Sequence, residues 1–241
     1  MRISQNDWKR YRDKLKNICQ EAQDEFVKWT VSEGGFSNIE RQRVIDYAYA
    51  LCTKYGESEA SLAALMYEAT AEASGVTVPA AEVAETATYE EVAKTINGIA
   101  QKSSNDNYVG GGVYQLVKQA GADTSLKNAK RDGAEFAWIP SGDACVYCLS
   151  IAANGWKKAD SKSTGKADHI HNNCDCTFAV RFNSETNVQG YDPQKYKDIY
   201  DSAPGKSSTD KLNYLRREQY AENKDAINEQ KRIAYALRNN K

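Results

Sequence analysis

Apolar residues recur along the first part of the chain at helical steps. Trp8, Tyr11, Leu15, Ile18, Ala22, Phe26 and Trp29 are three or four apart, which places them on one face of a long amphipathic helix. Gly34-Gly35 ends that helix. Ser37-x-x-Glu40 has the form of a capping box. It predicts a second helix with Val44, Tyr47, Ala48 and Leu51 on its buried side, stopped at Gly56. Leu62, Leu65, Met66, Ala69 and Ala73 predict a third, stopped at Gly75. Helices joined by connections this short point to an antiparallel helical subdomain over residues 1–76.

The helical period lapses after Gly75. Val78 precedes Pro79, and a residue in that position is pushed out of the helical region, so residues 77–87 read as an extended linker. Thr88-x-x-Glu91 caps the next helix, which carries Val92, Ile96 and Ile99. Gly110-Gly111-Gly112 reads as a flexible turn ahead of a helix bearing Val113, Leu116 and Val117. It lacks the lysine and the preceding strand of a phosphate-binding loop. From Glu135 the period changes to two. Glu135 to Ile139 reads as one strand, ended by Pro140, and Phe178, Val180 and Phe182 mark a second.

Beyond Asp192 the helical pattern returns. Asp192-Pro193 opens a short helix with Tyr196, Ile199 and Tyr200, and the run from Ala203 to Lys206 breaks it. Ser208 or Thr209 caps a last helix, highly charged with a thin apolar stripe, of the kind that lies on a surface or docks on a partner. The fold class expected is α+β, mostly α. It comprises a helical N-terminal subdomain (1–76), a linker (77–87), a small zinc-stapled α+β domain (88–191) and a helical C-terminal tail (192–241).

Composition narrows the function. The formal net charge is -1, so no global charge selects nucleic acid or a membrane surface. No apolar run approaches the roughly 18 residues of a membrane span, so no membrane partner is expected. The start of the chain lacks the apolar core of a signal peptide, which points to synthesis in a cytosol. In that compartment a C-x-x-C pair is more often a metal or redox element than a lasting disulfide. The first 16 residues carry six Lys/Arg against two Asp/Glu. A solvated helix face is the simple reading of that excess, and contact with nucleic acid or an acidic partner is the functional one.

The chemistry concentrates between Trp138 and Phe182. Four of the six cysteines lie there, as Cys145-x-x-Cys148 and Cys174-x-Cys176, together with both histidines, His169 and His171. Zinc takes four thiolate or imidazole ligands in a tetrahedron, and a C-x-x-C turn aims two sulfurs at one ion. Cys145, Cys148, His171, Cys174 and Cys176 are the candidate ligands, one more than a four-coordinate site uses. Either the first three with one of Cys174 and Cys176, or all four cysteines, would fill the site. With four protein ligands no position is left for water, and the zinc is structural. Buried thiols, disulfides and a thioredoxin-like redox pair compete less well, the last because no βαβ context surrounds it. Cys19 and Cys52 fall in apolar helical segments and read as core. The catalytic alternative is a metal-dependent nuclease of HNH type built on Asp168-His169. It requires a further downstream histidine, and none follows His171.

The pattern W-x-P-x-x-D-x-C-x-x-C followed by H-x-x-C-x-C-T resembles the C-terminal signature of the Mu F-like phage minor head proteins, also called head morphogenesis proteins. It is carried by Trp138, Pro140, Asp143, Cys145, Cys148, His171, Cys174, Cys176 and Thr177. Asn172 stands where proline is common and Asp175 where arginine is common. The ligand spacing is unaffected. The resemblance implies a non-enzymatic virion protein of a tailed phage, made in the host cytoplasm and housed in the head interior or portal region. Its implied partners are the portal or the major capsid protein, with packaged DNA as a further candidate and no small-molecule substrate. Some family members carry an appended toxin or ADP-ribosyltransferase domain, and none is expected here.

Overall fold

A computed structural model describes residues 3–141, 144–159, 170–172, 174–184, 186, 188 and 190–239. It is mostly helical with one small antiparallel sheet, as the periodicity predicts. By its contacts the chain forms two compact units, Met1–Ser141 with Trp156–Tyr191, and Gly142–Gly155 with Asp192–Lys241. Among the described residues no helix is long and apolar enough to cross a membrane.

The first unit is built on α1 (Gln5–Ser32), α2 (Arg41–Ala73), α3 (Tyr89–Ala100) and α4 (Asp106–Asp132). Phe26 of α1, Val44 and Leu51 of α2, Val92 and Ile96 of α3, and Val113 and Val117 of α4 share one buried core. The apolar stripe read along α1 is the face that enters it. Cys19 and Cys52 lie in the same core, as expected. Burial, then the Glu59 carboxylate, pushes the Cys19 thiol up, and burial alone lifts Cys52 to about 12. Both therefore stay protonated and unreactive.

Three local expectations fail in this unit, and for the glycines tertiary contact is the reason. Gly56 does not stop a helix. It lies inside α2, buried, where a Cβ would meet Thr86 Cγ2 at 2.9 Å and Ala120 Cβ at 3.6 Å. Ser37 does not cap α2. Residues Phe36–Asn38 form a short 3-10 turn, and Glu40 precedes the helix without a side-chain cap. Gly110, Gly111 and Gly112 are not a turn but buried positions within α4, whose start is capped by Asn105 accepting from the Tyr108 amide. A Cβ at Gly110 would reach Val27 Cγ2 at 2.8 Å, and one at Gly112 would reach Ile99 Cδ1 at 2.5 Å. These glycines are where α1 and α3 approach α4 most closely. The capping box at Thr88 and Glu91 forms as predicted.

The stretch between α2 and α3 is extended, as Pro79 requires, and it is clamped by side chains. The Asn128 carboxamide accepts from the Glu82 amide at 2.9 Å and donates to the Glu82 carbonyl at 2.8 Å. The Ala84 amide donates to Thr124 Oγ1, and Arg131 donates to the carbonyls of Pro79 and Ala80.

Gly133, at φ 66°, ends α4 in the left-handed region and turns the chain into the sheet. The sheet order is β2-β1-β3, with β1 Glu135–Ile139, β2 Lys157–Lys158 and β3 Thr177–Arg181. β1 and β3 are the two strands predicted, paired antiparallel from Glu135↔Arg181 to Ile139↔Thr177. The short β2 had no period of its own to announce it. Phe136 stacks on Phe178 at 5.1 Å, and Arg181 Nε reaches Glu135 at 2.6 Å across the strands.

The second unit contains α5 (Val146–Ala152), α6 (Pro193–Ser202) and α7 (Ser208–Asn239). Asp192 caps α6 with Pro193 in its first turn, as predicted. The cap of α7 is Ser207, not Ser208 or Thr209: Ser207 Oγ accepts from the Asp210 amide, and Asp210 Oδ2 accepts from the Ser207 amide. Gln219 of α7 donates to the Ala144 carbonyl at 3.2 Å, just ahead of α5.

Candidate metal centre

The candidate ligands sit where strand meets loop. β1 runs out at Ile139, and Cys145 then occupies the cap position of α5 with Cys148 in its first turn. On the other limb, Cys174 and Cys176 immediately precede β3. The Cys174 amide donates to the His171 carbonyl at 3.1 Å.

Two sets of three drawn from the candidate residues could hold a metal ion. Cys145, Cys148 and His171 form one and Cys148, Cys174 and Cys176 the other, with the ligand atoms in each within 4.8 Å of one another. Cys148, common to both groups, is buried, as are Cys174 and Cys176, whereas Cys145 and His171 are half-buried. His171 Nδ1 lies 3.0 Å from the Asn172 carbonyl. A carbonyl oxygen only accepts, so a hydrogen bond there has Nδ1 as the donor. Each set of three has the ligand types and the closeness needed to hold a metal ion. Asp168 and His169, the basis of the nuclease alternative, lie outside the described residues, as does Asp143 of the signature.

The loop bearing Cys174 and Cys176 is gripped by the helical bundle through residues that sequence reasoning passed over. Asp175, between the two cysteines, accepts from Lys16 Nζ of α1 at 2.6 Å and from the Tyr114 hydroxyl of α4 at 2.8 Å. Burial alone would raise the Asp175 carboxyl, but the bonds from Lys16 and Tyr114 outweigh it and hold it below the usual carboxylate range. Lys118 of α4, itself 9% exposed, donates to the Cys174 carbonyl at 2.5 Å. A signal for Lys118 was present in the sequence. It sits one helical turn past Tyr114 and one before Gly121 on a buried stripe, where a lone charge needs a reason. Nothing in the sequence pairs Asp175 with Lys16, 159 positions away.

A groove of ≈ 1050 Å³ runs between α3, α4 and the extended stretch before α3, and His171 and Asn172 stand on its rim. Its charged side chains are mixed in sign, including Glu91, Lys94, Lys102 and Asp123.

The model of the family described as VG15 protein matches residues 2–203. The chain belongs to the VG15 protein family. VG15 is a viral family, and its match takes in every candidate ligand as well as both anchoring residues of α4. It stops short of α7, which begins at Ser208. Comparison with curated proteins and with solved structures gave no match.

Proposed function

We propose that this VG15 protein is a minor head protein of a tailed phage, non-enzymatic, with one zinc ion held structurally by its cysteine cluster. The observation that carries the proposal is the viral family match over residues 2–203, which spans the whole Cys/His cluster. The Mu F-like signature around that cluster narrows the reading from viral protein to head protein. Cys148, Cys174 and Cys176 supply three buried thiolates, and Cys145 or His171 supplies the fourth ligand. A zinc ion with four protein ligands keeps no open position for water or substrate, so it contributes to folding and not to catalysis. Function then lies in surfaces. The N-terminal helix with its basic first turns and the charged α7 are the elements suited to the portal or the major capsid protein, with packaged DNA as a further partner.

Quantitative mass spectrometry of purified intact particles tests this. The chain should be present at low copy and remain with the head fraction when tails are removed. Its absence from particles, or DNA cleavage by the purified chain that His169→Ala abolishes, would contradict the proposal.

A further inference from the structure

Lys118 is a charged side chain sunk into a helical core, its Nζ 5.8 Å from the centre of the Tyr114 ring. Two acids lie in its field. Glu59 of α2 is 1% exposed, and burial pushes its carboxyl up to about 8, so at neutral pH it is mostly uncharged. Asp175 is ionised but is already held by Lys16 and Tyr114. The direct hydrogen bond of Lys118 goes to the Cys174 carbonyl, on the main chain of a candidate ligand. An ammonium this deep needs a compensating negative charge.

We propose that Lys118 is a positioning residue for the metal centre: its ammonium offsets the negative charge of the thiolates while its hydrogen bond fixes the main chain of Cys174. This rests on the reading of the cluster as a zinc site. Zinc carries two positive charges, so three or four thiolates leave the centre net anionic. A cation held beside the ligand loop lowers the energy of that anion and of the thiolates that form it. Because Lys118 projects from α4 and Asp175 is tied to α1 and α4, the helical core would set both the place and the charge of the ligand loop. Metal affinity should then depend on a lysine that never touches the metal.

The test is zinc affinity of the full chain, measured by competition with a chromophoric chelator, for wild type, Lys118→Gln, Lys118→Arg and Glu59→Gln. Lys118→Gln keeps a donor for the Cys174 carbonyl but loses the charge, and affinity should fall about 10- to 100-fold. Lys118→Arg should restore most of it, and Glu59→Gln should leave it unchanged. Circular dichroism on each variant separates lost affinity from lost fold. A folded Lys118→Gln that binds zinc as wild type does overturns the inference while the zinc site stands. Wild type that binds no zinc overturns the zinc site and the inference with it. Should Lys118→Gln not fold, Lys118→Arg decides: wild-type affinity supports a role for the charge, and a folded Lys118→Arg that loses zinc overturns it.

Discussion

Glu59 shows how much a single buried group shapes this protein. Its Oε2 has no hydrogen-bond partner among the described residues, and burial, opposed by a smaller pull from Lys118, raises its carboxyl from 4.5 to about 8. A carboxyl whose folded pKa lies above its unfolded value binds its proton more tightly when folded. The stability it permits is therefore complete below the unfolded pKa, declines as pH rises, and levels off above the folded pKa. The slope in that window is at most about 1.4 kcal/mol per pH unit. Urea unfolding between about pH 5 and about pH 9 should show this decline, and Glu59→Gln should flatten it and be the more stable form at the alkaline end. Curves for the two proteins that run parallel would exclude a raised Glu59. No local pattern marks Glu59, because its place in α2 reads as one more polar helical residue. The glycines mislead for a related reason. Gly56 and the run from Gly110 to Gly112 have the local look of breakers, but their role is close helix approach, which exists only once the partner helix is present.

At the scale of elements, period and punctuation carried most of the information. The faces of α1 and α4, the capping box of α3, both long strands and the proline start of α6 were legible in the chain. The clamped stretch before α3 was legible only as extended. Its partners, Thr124, Asn128 and Arg131, lie some forty to fifty residues further on. Asn128 is 1% exposed and makes the two-way bond to Glu82 that a neighbouring strand would otherwise make. Removing it takes this partner from the amide and carbonyl of Glu82, an exposed residue whose two bonds to Asn128 are part-buried, at roughly 0.5–1.5 kcal/mol each. Asn128→Ala should therefore unfold about 1–3 kcal/mol more easily and become susceptible to limited proteolysis between residues 77 and 87. Cleavage elsewhere, with this stretch still protected, would show that the clamp lies in other residues.

For the whole molecule, the spacing of cysteine and histidine points to a metal centre, and two sets of three of those residues could hold an ion, with three of the thiols buried. The support around the centre was hidden, since Lys16, Tyr114 and Lys118 reach the ligand loop only through the packing of α1 and α4. The family match ends at residue 203, short of α7. Whether the cluster holds a metal that the fold depends on is decided most directly by native mass spectrometry of the full chain, with and without a strong chelator and for Cys148→Ser. The expected result is about one zinc per chain in wild type, lost in Cys148→Ser together with cooperative unfolding. A wild-type chain that is metal-free and still folds cooperatively would contradict it.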